Sequence, residues 1–272
     1  MYIGTILSLF LLPLYIIEGI RTRLSTLRLP SAIGPVSGTF KGNRNEDQEI
    51  RLLIVGDSTV AGVGVKTTDL ALPYQLARAL CEKSGKTVHW RAAGCNSAES
   101  THIRDLVIPN LPEEDYTHVF FSLGFNDLKN FRSQGKWKSG FGGLLYATRA
   151  KYPNSKIYWC KMMDPGRMPA LKRGLVFVLR LRRKMISELG AALCEERGGT
   201  WIEPMKGTRA EYYCHDGVHP SEEGNRAWAN HVAIEIVHNE ASWQENQYKV
   251  DDEQHQMHRS MEDVGPVPAE SN

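Results

Sequence analysis

A chain of 272 residues with a net charge of +2 has room for one sizeable α/β domain with appendages and is short for two full domains. Near charge balance supplies no general attraction to nucleic acid, so no nucleic-acid partner is expected. The five cysteines (Cys81, Cys95, Cys160, Cys194, Cys214) are an odd, scattered set without a C-x-x-C pair. That pattern argues against a disulfide framework and a zinc site and suits a reducing compartment.

Residues 2–17 are almost wholly apolar, interrupted by Pro13 and ended by Glu18. The run is shorter than the roughly 20 residues typical of a spanning helix. No lysine or arginine precedes it and no small-x-small cleavage pattern follows, which fits a cleaved signal peptide poorly. Arg21, Arg23 and Arg28 come directly after, a basic flank that the positive-inside rule keeps in the cytoplasm. Residues 1–20 are therefore expected to form a membrane-anchor helix, spanning or lying in the interface, with the catalytic domain on the cytoplasmic side. A helix docked on the domain is the alternative. Residues 21–49, rich in Pro, Gly, Ser and charge, read as a linker or covering arm.

Short apolar or β-branched runs predict strands at 51–55, 87–92, 117–123, 156–161 and 200–202. Helical patterns fill 70–83, 101–108, 142–151, 171–197 and 221–238, the last opened by Ser221 as N-cap with Glu222 and Glu223 behind it. Strand–helix alternation implies a three-layer α/β/α sandwich around a parallel sheet, assigned here to residues 50–239. Ligands bind such sheets outside the carboxyl ends of the strands, and Ser58, Gly94 and Asn126 follow the first, second and third strands on that edge. From 240 to 272 acids outnumber bases and few large apolar residues remain, the composition of a disordered acidic tail.

Gly56-Asp57-Ser58 directly follows the apolar run Leu52-Leu53-Ile54-Val55, and Asp216-Gly217-Val218-His219 lies far downstream. A serine hydroxyl needs a base to take its proton as it attacks a carbonyl. His219 is the candidate base, and Asp216 is suited to orient it and stabilise the imidazolium. Competing motifs fail on spacing: Gly56, Gly62 and Gly64 do not make G-x-G-x-x-G, a Gly-Lys-Ser/Thr ending is absent from this turn, and Ser58 is followed by Thr59-Val60 rather than x-Gly. Asp57 reads as a cap of the turn rather than a catalytic group. Cys214 beside His215 would be a poor dyad, because neighbours in an extended segment point to opposite sides.

With these residues in view the chain resembles the SGNH (GDSL-type) hydrolase family, whose four short blocks have ordered matches over about residues 50–235. Gly56-Asp57-Ser58 is similar to the first block, Gly94 falls where the second supplies a backbone amide, Gly124-Phe125-Asn126-Asp127 is similar to the third, and Asp216 to His219 to the last. The apolar start, the arginines, Leu-Pro and Gly-Pro resemble a membrane-associated bacterial branch. The resemblance implies a flavodoxin-like fold and a Ser58–Asp216–His219 triad. It also implies an oxyanion hole from the Ser58 and Gly94 amides and the Asn126 side chain, with no metal or cofactor. A glycine at 94 permits close backbone approach to a ligand. Asp127 reads as a turn or cap residue beside Asn126.

The activity this implies is hydrolysis of carboxylic esters, with lipid, lysolipid or small acyl esters all compatible and a thioester possible. An idle lipid-binding or scaffolding protein with the same fold, or a thioesterase, is the alternative. Phe125, Phe131 and Trp137 are candidates for an acyl pocket or for core. The basic, apolar helical pattern holding Lys172, Arg173, Arg180, Arg182, Arg183 and Lys184 suits either an anionic membrane surface or an amphipathic core helix.

Overall fold

The central strands are apolar on both faces, so both faces must be covered by helices. The computed structural model describes residues 3–43 and 49–262. Its strands are β1 (Ser37–Phe40), β2 (Ile50–Gly56), β3 (Val88–Gly94), β4 (His118–Ser122), β5 (Lys156–Cys160) and β6 (Gly199–Ile202). They form one sheet in the order β1-β3-β2-β4-β5-β6, parallel except for the antiparallel β1–β3 pair. Leu53, Val55, Val119, Phe121, Ile157 and Trp159 enter one core, and the alternating Leu52, Ile54, Phe120, Tyr158 and Cys160 enter the other.

The helices are α1 (Ile3–Phe10), α2 (Leu12–Ser25), α3 (Leu72–Ser84), the short α4 (Ser100–His102), α5 (Phe125–Lys129) and α6 (Gln134–Trp137), then α7 (Gly143–Lys151), α8 (Arg173–Glu196) and α9 (Glu222–Glu262). Leu72, Leu76 and Leu80 of α3 and Ala229, Val232 and Ile236 of α9 close one face. Leu144 and Leu145 of α7 and Leu179, Ile186 and Leu193 of α8 close the other. Ser221 Oγ accepts the Gly224 N–H at 3.1 Å, the cap expected at the start of α9. The chain reverses its direction of winding between β2 and β4, so the switch in strand order lies beside the turn that carries Ser58.

Three features differ from the sequence expectation. The segment 21–49 contains strand β1, whose Ser-Gly-Thr-Phe sequence is mostly exposed and has no apolar alternation to reveal it. Upstream of β1 the chain clasps the turn after β2, with the Gly64 N–H donating to Pro30 O and the Ala32 N–H to Gly62 O. In place of one helix over 1–20 there are two, α1 and α2, bent by 74° and seated on α8. No described helix is by itself long and apolar enough to cross a membrane; the bent pair reaches that length and composition only together.

The third difference is at the carboxyl end. The disordered tail expected from 240 is instead helix as far as Glu262, while 263–272 lie outside the described residues. Glu240 anchors that helix to the sheet: its Oε1 lies 2.5 Å from His118 Nε2 and accepts from Lys156 Nζ at 2.7 Å. Burial resists ionisation of Glu240, but His118 and Lys156 outweigh it and bring the carboxyl down to about 2. A carboxyl held low in the folded state stabilises above its unfolded value, about 4.3, and that contribution is lost as the pH falls through the folded one. Glu240→Gln should therefore lower the unfolding free energy by about 2 kcal/mol at neutral pH. Urea titrations of the two proteins should converge between about pH 4 and pH 2.

Candidate active site

Strand β2 ends at Gly56, where a Cβ would lie 2.1 Å from Ser122 O of the neighbouring strand. Asp57 then turns the chain, its N–H donating to Ser122 O and its Oδ1 accepting the Thr59 N–H at 3.1 Å. This Asx turn lifts Ser58 above the sheet edge. From the other end of the domain, the loop before α9 is folded around Asp216, whose Oδ1 accepts the N–H groups of Val218 and His219, both at 3.0 Å. The other oxygen, Oδ2, lies 2.5 Å from His219 Nδ1, and His219 Nε2 lies 3.0 Å from Ser58 Oγ. Three-residue spacing thus lets one carboxylate hold both the loop and the ring that the loop carries. Burial opposes ionisation of Asp216, but the His219 ring and the two backbone donors prevail and hold its carboxyl below the ordinary aspartate value.

Ser58 and His219 open into a pocket with Asn96, Ser97 and Asn126 beside them and Leu123, Phe125, Met162, Met163, Met168, Met205 and Trp228 on its walls. Asn126 stands on α5, which begins after Gly124 at φ +118°. Its Nδ2 donates to Ala98 O at 2.8 Å and to Asp57 Oδ2 at 3.2 Å. Burial raises the Asp57 carboxyl above its ordinary value, against the Thr59 N–H and the nearby charge of Lys129.

Gly94 does not take the place expected of it. Successive N–H groups of a strand in a sheet point to opposite neighbours. The Cys95 N–H donates to Gly56 O at 2.9 Å, so that of Gly94 points away from β2 and from Ser58. Gly94 is not among the pocket-lining residues. Its missing Cβ makes room for the chain after Ser58, since a Cβ there would lie 2.2 Å from Ala61 N. Close approach is the reason for this glycine, but the approach is to protein backbone.

Ser97, which belongs to no motif in the sequence, lines the pocket with a φ of 63°. Left-handed backbone at a non-glycine residue costs about 1 kcal/mol or more and marks functional turns. Among the described residues neither the Ser58 nor the Ser97 N–H has an acceptor. Its only signal in the sequence was position, a few residues beyond the second strand.

Of the candidate pocket aromatics, Phe125 lines the site, Trp137 is core and stacks on Phe141 at 4.7 Å, and Phe131 packs outside against Tyr15. Asp127 bonds the Ser100 hydroxyl at 2.7 Å and its N–H at 3.0 Å, fastening α4 to α5, and burial pushes its carboxyl up to about 6. Cys214 Sγ is turned to Gly64 O and Pro220 O, and burial pushes the thiol up to about 11, so it is no rival nucleophile. Among the described residues no group of three or more His, Cys, Asp or Glu side chains could hold a metal ion.

The model of the GDSL-like lipase/acylhydrolase family matches residues 54–227, from the strand before Ser58 to the helix after His219. A search of curated protein sequences gives no match. Among solved structures, the psychrotrophic esterase EstA from Pseudoalteromonas sp. aligns at TM-score 0.55 and 16% identity, covering 70% of this chain and 100% of its own. The family 3 carbohydrate esterase of Clostridium thermocellum aligns at TM-score 0.56 and 18% identity, covering 71% and 98%. The carbohydrate esterase family 3 protein of Talaromyces cellulolyticus aligns at 0.52 and 15%, covering 70% and 97%. At such identities the likeness concerns the fold, a mostly parallel six-stranded sheet between helices. With its family motifs on one sheet edge and its model matched over most of the domain, the chain belongs to the GDSL-like lipase/acylhydrolase family and is a hydrolase acting on carboxylic esters.

Proposed function

We propose that Ser58 is the nucleophile of an acyl-enzyme mechanism acting on esters with an aliphatic acyl chain at a membrane surface. The observation that carries this reading is the unbroken Asp216–His219–Ser58 chain, with contacts of 2.5 and 3.0 Å, opening into an apolar pocket. His219 Nε2 takes the Ser58 proton as Oγ bonds to the carbonyl carbon, then returns it to the leaving alcohol. Water repeats the sequence to release the acid. Asp216, ionised and buried, orients the ring and offsets its transient positive charge.

The oxyanion takes the N–H of Ser58, that of Ser97 and one N–H of Asn126, which must exchange its longer bond, that to Asp57, for the oxyanion. Four methionines among the lining residues favour a flexible acyl chain over a lone acetyl group. The apolar N-terminus with its arginine flank supports attachment to a membrane with the domain on the cytoplasmic side.

A fluorophosphonate probe should label Ser58, and Ser58→Ala should abolish both the label and hydrolysis of a short-chain p-nitrophenyl ester. Peptide mapping that finds the label elsewhere would remove Ser58 from the mechanism. Asn126→Ala should lower kcat by about 10²–10³ with circular dichroism unchanged, and a wild-type rate would show that its amide does not serve the oxyanion. Ser97→Gly tests backbone against side chain. Turnover should persist, because only the N–H is used, and thermal unfolding should show a gain of about 1 kcal/mol from relief of the left-handed backbone. Lost turnover would mean that the hydroxyl acts.

A further inference from the structure

Helices α1 and α2 carry their amphipathic pattern reversed. The residues of the two helices turned most deeply into the domain are small or polar, with Tyr15 half-buried beside them. A Cβ on Gly4 would lie 2.8 Å from Leu181 O, and Ser8, fully buried, has its Oγ 3.2 Å from Arg182 Nη1. Thr22 is buried as well, and the Tyr15 hydroxyl donates to Lys129 O. Most of the large apolar side chains face away: Ile3, Phe10 and Leu24 are 82%, 78% and 83% exposed, and Ile17 and Ile20 about half. A helix docked on a domain in water turns its apolar stripe to the core. Here the stripe is outside and continues onto α8, where exposed Phe177 lies between Gly174, which meets Leu14 and Glu18, and Leu181, which meets Gly4. A contiguous apolar face of this kind marks a partner surface.

The charges around the face identify the partner. Arg23, Arg28, Lys172 and Arg173 are exposed and have no ion-pair partner among the described residues. The fringe is basic, which suits an anionic lipid surface. A second copy would bring the same positive fringe against this one. Length and shape decide how the helices meet the lipid. Eight and fourteen residues give about 12 and 21 Å, against roughly 30 Å of hydrocarbon. The 74° bend and the seating on α8 prevent them from adding end to end.

We propose that α1, α2 and Phe177 form an in-plane docking surface for an anionic bilayer, not a spanning anchor. The docked surface adjoins the pocket rim: Lys129 lines the pocket, its carbonyl is held by Tyr15 of α2, and its ammonium feels the charge of Arg23. An ester leaving the bilayer thus meets the pocket without crossing open water. This route rests on the proposed function; the docking surface does not.

The test uses the full chain and sucrose-loaded vesicles of phosphatidylcholine with and without phosphatidylglycerol. Wild-type protein should sediment with the anionic vesicles. The triple variant Ile3→Gln, Phe10→Gln, Leu24→Gln should partition roughly ten-fold or more weakly. Its hydrolysis of a soluble short-chain ester should remain at the wild-type rate. Nitroxide labels on Ile3→Cys, Phe10→Cys, Ile17→Cys and Leu24→Cys, each in a Cys95→Ser background, should report one shallow depth of about 5–10 Å. Depths graded toward the bilayer centre would mean a spanning segment and overturn the proposal. Unchanged partition of the triple variant would also overturn it, as would a dimer in light scattering that the same substitutions dissolve. Failure to label Ser58 in the separate probe experiment would sink the catalytic reading and leave these measurements standing.

Discussion

The site depends on one buried carboxylate that is not itself a member of the triad. Asp57 Oδ1 fixes the turn that presents Ser58, and its Oδ2 receives the amide of Asn126 from a different strand end. The ends of β2 and β4 are thereby locked together beside the switch in strand order. Burial makes ionisation costly, and the Thr59 N–H and the charge of Lys129 act against that cost. Removing the Asp57 side chain would free the turn and the amide together, so its effect would not be separable into folding and catalytic parts.

The sheet was legible because β2, β4 and β5 are buried on both faces and therefore read as continuous apolar runs. Edge strand β1 was not, since exposed Ser37 and Gly38 carry no apolar signal and the pairing comes entirely from β3. Ser58 and Asn126 were legible as residue types after strand ends and Asp216 with His219 by their three-residue spacing, and the structure brings all four together. Gly94 illustrates a limit of such reading. A glycine announces that something comes close but not what, and here the neighbour is the Ala61 backbone. Ser97 shows the converse: a left-handed residue that is not glycine leaves no mark in the sequence. Acid content misled at the carboxyl end, because Glu240 counts as a solvated charge by composition yet is held by His118 and Lys156.

At the amino end apolarity and charge are visible in the residues alone, while their direction comes from the fold. The same run would serve a spanning helix, a docked helix or an interfacial one. What separates them is where the small residues sit. Gly4 and Ser8 allow α1 to lie against α8 and Arg182, whose guanidinium is buried and stacked 3.8 Å from the Phe131 ring. Larger side chains at those two positions would hold the helix off and expose that guanidinium's neighbours. Small residues at the closest contacts leave most of the large apolar ones outward, so tight docking on the domain and an apolar outer face follow from one pattern. Tyr15 packs tilted against Phe131 and holds the Lys129 carbonyl, which couples that face to the wall of the pocket. In the proposed docking, lipid contact and catalysis would be borne by one unit, with the approach of the substrate set by the seating of two short helices.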